Sequence, residues 1–144
     1  MTEIICRPAE NRAELEECFL IRKKIFVDEQ GLFTETDQDE HDAEAIHIVA
    51  LYKDKIIGTV RIYEQKDNMW WGGRLAVEKK LRGRAGRLLV QKAVEIIRGS
   101  NAKSFRAYIQ LRNVSFFKNL KWKPIGEKVF LHGKLHLLME AEIK

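Results

Sequence analysis

Gly73-Arg74-Leu75-Ala76-Val77, followed closely by Leu81-Arg82-Gly83-Arg84-Ala85-Gly86-Arg87, is the stretch that decides the fold. The first segment ends an apolar run that is typical of a strand. The second is an arginine-rich turn that opens a helix, whose apolar positions continue to Arg98. N–H groups at a helix start have no intrahelical acceptor, and small residues let an anion approach them. The stretch therefore predicts a strand–turn–helix unit with an anion site, the alternative being an ordinary basic loop.

The residues on either side predict an α/β fold with a mixed sheet and helices on both faces. Alternating apolar positions predict strands at 3–7, 45–52, 56–63, 69–77, 105–110, 129–131 and 135–141. Spacings of three and four predict helices at 11–26, with Asn11 as N-cap, at 85–98 and at 114–120. A bulge or close backbone approach is predicted at Gly72-Gly73. The order β-α-β-β-β-α-β-α-β-β predicts antiparallel hairpins and one parallel pair, with residues 1–144 forming one domain.

Composition excludes several classes of protein. Of the 144 residues, 45% are hydrophobic and 33% are charged, enough apolar residues for a core, which excludes a disordered chain. No run approaches the roughly 20 apolar residues of a membrane span, and no secretory signal is visible. The predicted location is therefore the cytoplasm, without a membrane partner. Cys6 and Cys18 are too few for a zinc site, and no metal is predicted.

The net charge of +5 is unevenly distributed. Residues 28–44 contain eight acidic residues and no Lys or Arg, whereas residues 79–98 contain seven basic residues and one acidic residue, Glu95. Such runs predict either solvated surface or a molecule with one side for anions and another side that attracts cations.

The segment from Gly73 to Arg87 resembles the acetyl-coenzyme A motif of the GNAT N-acetyltransferases, in which Arg/Gln-x-x-Gly-x-Gly/Ala follows a strand. Three further segments are similar to a subgroup of this family and occur in its order. They are residues 22–30 (RKKIFVDEQ) with the acidic stretch and Ala45-Ile46-His47 after it, residues 113–122 (NVSFFKNLKW), and residues 133–139 (GKLHLLM). The resemblance spans nearly the whole chain, and the order of the motifs is more specific than any one of them.

The resemblance implies a GNAT fold, a mostly antiparallel sheet whose parallel pair splays around the cofactor. It also implies acetyl-coenzyme A as co-substrate, no metal, and direct attack of a primary amine on the acetyl thioester in a ternary complex. The backbone of Leu75, Ala76 and Val77 would pair with the pantetheine arm, and Asn113 would contact the pantetheine or the thioester. The pyrophosphate would lie on Arg82, Gly83, Arg84, Ala85, Gly86 and Arg87.

Two positions depart from the family pattern. Counting from Arg82, Ala85 and Arg87 occupy the positions of the family's two small residues, and Gly86 is offset by one. Phe117 stands where many members have the tyrosine that protonates the departing thiolate, and a phenyl ring has no proton to give. Phe117 therefore implies another donor or water. It also favours the alternative function, a coenzyme-A-binding sensor or partner module with little turnover.

Attack by an amine needs a base for the ammonium proton and donors for the oxyanion. The candidate bases are Glu29, His41, His47 and His136. Glu29 follows the first helix, where the family's acceptor site begins, and burial there would raise its pKa. For His47 and His136, which lie on predicted strands, the alternative to a catalytic role is a structural one. One of Trp70 and Trp71 is predicted to wall the acceptor pocket, since neighbours on a strand point to opposite faces.

The acidic stretch predicts a cationic acceptor, a small molecule or peptide amine attracted by Asp37, Asp39, Glu40 and Asp42. A nucleic-acid partner bound by residues 79–98 is a third hypothesis. It is disfavoured because no recognition motif accompanies the basic cluster. The chain is expected to be a monomer or a homodimer, since the terminal hairpin offers an edge for pairing.

Overall fold

The computed structural model describes residues 3–144 and contains a mixed sheet of seven strands. The strands are β1 (Ile4–Pro8), β2 (Ile46–Tyr52), β3 (Lys55–Lys66), β4 (Met69–Val77), β5 (Ser104–Gln110), β6 (Trp122–Leu131) and β7 (Lys134–Ala141). Their order across the sheet is β1-β2-β3-β4-β5-β7-β6, and β4 and β5 form its parallel pair. The predicted order of elements and the predicted parallel pair are confirmed.

Three α-helices connect the strands: α1 (Arg12–Arg22), α2 (Arg82–Arg98) and α3 (Val114–Asn119). Asn11 caps α1 as predicted, because its side chain accepts a hydrogen bond of 2.9 Å from the Glu14 N–H. Beyond Arg22 the chain continues as a wider π-helical segment, Lys23–Glu29. The helical segment predicted to end at Phe26 therefore extends to Glu29.

The two long helices bury opposite faces of the sheet. Ile48 and Ala50 of β2 pack in one core with Leu89 of α2, whereas Val49 between them packs in a second core with Cys18 of α1. All five side chains are fully buried. Since neighbours on a strand point to opposite faces, the predicted placement of helices on both faces is confirmed.

The terminal hairpin is longer than the sequence pattern indicates. β6 begins at Trp122, well before the predicted start at Val129, because Pro124 and Gly126 interrupt the alternation that marks a strand. The register of β6 with β7 shifts between Pro124 and Lys128, and β6 lies at the edge of the sheet, where such irregularity is tolerated. β3 likewise continues to Lys66, beyond its predicted end.

β4 contains the predicted bulge. Its register with β3 shifts between Gly73 and Ala76, and Arg74 in that interval has a φ of 53°, which is rare for a residue other than glycine. Gly72 lies against the ring of Phe105 on β5, where an added Cβ would come within 3.0 Å of the ring. A bulge bends its strand, and β4 diverges from β5 beyond this point.

Candidate functional site

A cavity lies where β4 and β5 diverge. The two strands pair from Met69 to Trp71 on β4 and from Ser104 to Arg106 on β5. Beyond these pairs the strands enclose a cavity of about 450 Å³, within the usual range for ligand sites. Peptide groups on an unpaired strand edge can hydrogen-bond an extended ligand. The geometry therefore defines a site for an elongated molecule between two strands.

Of the residues predicted to bind the cofactor, three line this cavity: Leu75 of β4, Asn113, and Phe117 of α3. The Phe117 side chain is buried and packs edge-on against Phe116 and Trp122, with ring centroids 5.4 Å and 5.2 Å away. Residue 117 is thus held by an aromatic cluster at the cavity wall.

The side chains of Ala76 and Val77 are buried in the two cores of the fold. The Ala76 side chain lies in the core beneath α1, and the Val77 side chain lies in the core beneath α2. Neither residue lines the cavity. Their peptide groups continue β4 past its last pair with β5, along the edge of the cleft.

The N-terminus of α2 has the features of an anion site. The helix begins at Arg82, so Gly83, Arg84 and Ala85 lie in its first turn, and Gly86 and Arg87 follow in the second. The N-cap residue, Leu81, makes no side-chain capping bond, and the Arg82 N–H donates to the Lys79 carbonyl. A Cβ added at Gly83 would meet nothing within 4 Å, so the backbone is open there. The helix dipole adds positive potential.

Arg82 connects this helix end to Glu29. Its Nη1 and Nη2 donate to the Glu29 carboxylate at 3.0 Å and 3.1 Å, and its Nε donates to the Val77 carbonyl at 3.1 Å. The hydrogen bond from Arg82, aided by the charges of Arg82 and Lys79, lowers the pKa of Glu29. The prediction that burial raises this pKa is wrong because the ion pair outweighs burial. Glu29 also does not line the cavity.

The acidic stretch folds into a largely buried ion network rather than a solvated surface. Its members are Asp37, Asp39 and Asp42 with Arg22, Arg61 and Arg74. Arg22 has no exposed surface, and it binds Asp37 at 2.7 Å and Asp42 at 2.8 Å. The prediction that this stretch attracts a cationic acceptor is wrong for these aspartates, because arginines from outside the stretch neutralise them. Among the four acidic residues predicted to attract the acceptor, Asp37, Asp39, Glu40 and Asp42, only Glu40 has a mostly exposed side chain, with 82% of it accessible.

The network predicts a loss of stability in acid. Burial by itself would raise the pKa values of Asp39 and Asp42, but hydrogen bonds from Arg61 and Arg22 lower both below the usual value. The unfolded chain, whose aspartates have a pKa of about 3.9, therefore takes up protons that the folded chain does not. The stabilisation is complete above that pKa and is lost as the pH falls through the lower folded-state values.

Urea unfolding of the wild type should give a lower free energy of unfolding at about pH 3 than at about pH 7. Asp39→Asn should make this dependence shallower. Asp54 lies in an exposed turn, so Asp54→Asn is the matched control and should leave the pH dependence as it is in the wild type. Equal pH dependence in Asp39→Asn and the wild type would contradict the role of the network.

Two further candidate bases, His41 and His47, lie outside the cavity, as Glu29 does. His47 is buried, and its Nε2 donates to the Asp42 carbonyl at 3.0 Å, which is a structural role. Burial also lowers the pKa of His47. The His41 ring stacks on Tyr63 with centroids 4.1 Å apart, and His41 does not line the cavity.

Two imidazoles do line the cavity: the predicted candidate His136 and His132. His136 Nδ1 lies 2.9 Å from the Lys134 carbonyl. A carbonyl only accepts, so the neutral ring donates from Nδ1 and keeps its lone pair on Nε2. His132 lies in the β6–β7 turn, and burial, together with the charge of Arg74, lowers its pKa. The sequence pattern marks His132 only as a turn residue.

The two tryptophans separate as predicted. Trp70 packs against the core beneath α2, whereas Trp71 lines the cavity and stacks on Tyr108. Phe33 and Arg74 line the cavity as well. The sequence pattern does not mark Tyr108, Phe33 or Arg74, because they lie on separate segments that only the folded sheet brings together.

Within residues 3–144, no three His, Cys, Asp or Glu side chains are grouped so that they could hold a metal ion. In that same range, no helix combines the length and the apolar character needed to cross a membrane.

Cys6 and Cys18 are free thiols, and burial raises the pKa of Cys6 to about 11. Cys6 is therefore protonated at neutral pH and a poor nucleophile.

Comparison with known proteins agrees with this geometry. Residues 10–121 match the acetyltransferase (GNAT) family. YjcF of Bacillus subtilis (strain 168), an uncharacterized N-acetyltransferase, is 31% identical over 133 residues, 91% of this chain and 94% of YjcF. Two crystal structures share the fold over 99% of this chain and 100% of their own: Escherichia coli ElaA (TM-score 0.83, 23% identity) and an acyl-CoA N-acyltransferase from Pseudomonas aeruginosa (TM-score 0.80, 16% identity). The chain belongs to the GNAT family of N-acetyltransferases, as predicted.

Proposed function

We propose that this N-acetyltransferase takes its acetyl group from acetyl-coenzyme A and transfers it to a primary amine, by direct attack in a ternary complex. The observation that carries the proposal is the cavity between β4 and β5, with the open N-terminus of α2 beside it. This arrangement suits a long ligand with an anionic end. The proposed reaction needs no metal ion.

The residues of the cavity fit the pantetheine arm of coenzyme A, which carries amide groups. Gln110 Oε1 and Trp122 Nε1 are buried and lack a hydrogen-bond partner within residues 3–144, and both residues line the cavity. An unsatisfied buried polar group costs about 1–3 kcal/mol, which an amide ligand would relieve. Leu75, Ala76 and Val77 would pair with the arm through their backbone, and Asn113 would contact its thioester end.

The anionic end of coenzyme A would lie on the first two turns of α2. The N–H groups of Gly83 and Ala85 and the backbone at Gly86 would receive the pyrophosphate, with Arg82, Arg84 and Arg87 adding charge. Glu29 acts in this proposal as a positioning residue, since its carboxylate fixes the guanidinium of Arg82.

In the reaction, the amine nitrogen attacks the thioester carbonyl carbon. A nitrogen–carbon bond forms, the carbon–sulfur bond breaks, and coenzyme A leaves as a thiolate. We assign the amine proton to the Nε2 of His136, because that residue lines the cavity and its Nδ1 is engaged by the Lys134 carbonyl, which leaves Nε2 to accept. The bulge of β4 leaves a peptide group without a ladder partner, which offers an N–H for the oxyanion.

Phe117 determines how the thiolate is neutralised. A coenzyme A thiol with a pKa near 8–9 is a tolerable leaving group, so water would complete the step. A placed acid would add roughly 10²–10⁴ in rate. Phe117→Tyr should therefore raise kcat or leave it unchanged, and Phe117→Ala should lower stability and raise KM for acetyl-coenzyme A through lost packing against Trp122. Steady-state kinetics measures both variants, and a lower kcat in Phe117→Tyr would contradict this placement.

The second candidate function is a coenzyme-A-binding sensor, which Phe117 favours. Thermal unfolding with acetyl-coenzyme A, coenzyme A or duplex DNA separates these functions from nucleic-acid binding. A ligand at about 100 times its Kd adds about 2.7 kcal/mol of stability. We expect stabilisation by both coenzymes and none by DNA. Stabilisation by DNA alone would overturn the placement of coenzyme A.

The cellular setting of this function is also a proposal. We place the protein in the cytoplasm as a monomer or a homodimer. Phe130 of β6 is 72% exposed, and its cross-strand neighbour Leu135 is 36% exposed. These apolar side chains beside the sheet edge support pairing of two copies through β6.

A further inference from the structure

The side of the cavity opposite the α2 core is walled by aromatic rings. Trp71 and Tyr108 stack with centroids 5.6 Å apart and planes 14° apart, and the Phe33 ring lies 4.2 Å from that of His132. All four residues line the cavity. Tyr108 is 43% exposed, so this pair stands at the mouth. A flat apolar group can lie against such walls.

The charged side chains at this wall are arginines. Of residues 3–144, no Asp or Glu lines the cavity, whereas Arg61 and Arg74 do. Both Nη atoms of Arg61 bind Asp39, and its Nη1 also binds Asp42. The cavity therefore has no carboxylate to receive a cation.

Arg74 keeps a donor for a ligand. Its Nε donates to the Asp37 carbonyl at 3.1 Å, and its Nη2 donates to the same carbonyl at 2.9 Å and to the Asp39 carboxylate at 3.2 Å. In the described part of the chain, no group accepts a hydrogen bond from its Nη1. The guanidinium carbon lies 4.8 Å from the Phe33 ring centroid. The unused donor thus lies beside the aromatic wall.

The aromatic wall, the lack of a lining carboxylate and the Arg74 donor together indicate which class of amine fits the cavity. A polyamine would lose its hydration in this cavity without meeting an opposite charge, which is costly. We propose that the acceptor is a primary amine that carries an aromatic ring and a carboxylate, the chemistry of an aromatic amino acid. The ring would lie against Trp71 and Tyr108, and the carboxylate would accept from Arg74 Nη1. This inference rests on the proposed function, because acetyl transfer defines the acceptor.

The size of the cavity agrees with a compact acceptor. Its volume of about 450 Å³ must hold the acetyl thioester as well as the amine. The transfer is the one written above: the acceptor nitrogen gains the acetyl group, its proton goes to His136, and coenzyme A leaves. The ring and the carboxylate only hold the amine in place.

Four amines test the inference on the wild-type protein. L-Phenylalanine carries both groups, 2-phenylethylamine lacks the carboxylate, L-alanine lacks the ring, and spermidine is a polycation. We expect kcat/KM in a thiol-release assay to be at least about tenfold higher for phenylalanine than for the other three. Isothermal titration of the same amines into free and coenzyme-A-saturated protein should give the same order of affinity.

A variant at the cavity mouth tests the aromatic wall. Tyr108→Ala should raise KM for phenylalanine roughly two- to tenfold, with little change in kcat. Phe130→Ala removes an exposed ring outside the cavity and is the matched control. Equal KM values in the two variants would overturn the role of the wall.

The outcomes separate this inference from the proposed function. Faster turnover of spermidine, or equal turnover of phenylalanine and 2-phenylethylamine, would overturn the acceptor class and leave acetyl transfer intact. Thiol release with none of the four amines, and with none of a broad panel of other primary amines, would overturn acetyl transfer. The titrations still decide the acceptor class in that case, because tighter binding of phenylalanine supports it and equal or weaker binding overturns it.

Discussion

Replacing Arg82 and Arg87 together by glutamate should abolish the stabilisation of the fold by coenzyme A. Both arginines lie in the first two turns of α2, and hydrogen bonds between charged groups contribute about 1.5–3 kcal/mol each. Losing two such bonds and adding two negative charges should weaken binding by more than about a hundredfold. Thermal unfolding with and without coenzyme A measures the loss.

Two further variants make this result specific. Arg82→Gln with Arg87→Gln removes the charges without placing a second carboxylate beside Glu29, and it should also weaken binding. Arg98→Glu makes the same total charge change as the double glutamine variant, but at the other end of α2, and it should leave the affinity for coenzyme A unchanged. Wild-type affinity for coenzyme A in the double variants would contradict the placement of the pyrophosphate on α2.

Replacing Arg22 by methionine should lower the free energy of unfolding by about 3–5 kcal/mol. Arg22 is fully buried and makes the shortest ion pair of both Asp37 and Asp42. Its removal leaves these buried carboxylates with only the longer pairs to Arg74 and Arg61. The loss is a large part of the roughly 5–15 kcal/mol that stabilises a typical domain. Urea unfolding at neutral pH measures it.

The control for this prediction lies on the same helix. The Arg12 side chain is 85% exposed and makes only a surface contact with Glu16 at 3.5 Å. Arg12→Met should therefore change the free energy of unfolding by no more than about 0.5 kcal/mol. Similar losses in the two variants would show that the buried network is not what stabilises the acidic segment.

Local patterns of the sequence predict most of the fold. Asn11 marks the start of α1 because its side chain caps a free N–H. Gly72-Gly73 marks the point where β4 diverges, because a Cβ at Gly72 would meet Phe105 and the bulge follows Gly73. These features depend on neighbours in the chain or on strand alternation. The start of β6 escapes prediction because Pro124 and Gly126 interrupt that alternation.

The candidate site is less predictable because its chemistry depends on contacts between distant segments. Asp37 reads as a surface charge, since its partners Arg22 and Arg74 belong to other elements. The lowered pKa of Glu29 has the same origin in Arg82. His132 becomes a wall of the cavity only because the β6–β7 turn meets Phe33. Sequence patterns do not encode such pairings.

Thiol release from acetyl-coenzyme A by the wild-type protein is the most direct test of acetyl transfer. We expect release that depends on an added amine and matches the amount of acetylated amine found by mass spectrometry. At acetyl-coenzyme A concentrations near the wild-type KM, both signals should fall strongly in the Arg82→Gln and Arg87→Gln double variant, because it binds the coenzyme more weakly. Binding of acetyl-coenzyme A without amine-dependent thiol release, across a broad panel of amines, would contradict acetyl transfer and favour the sensor.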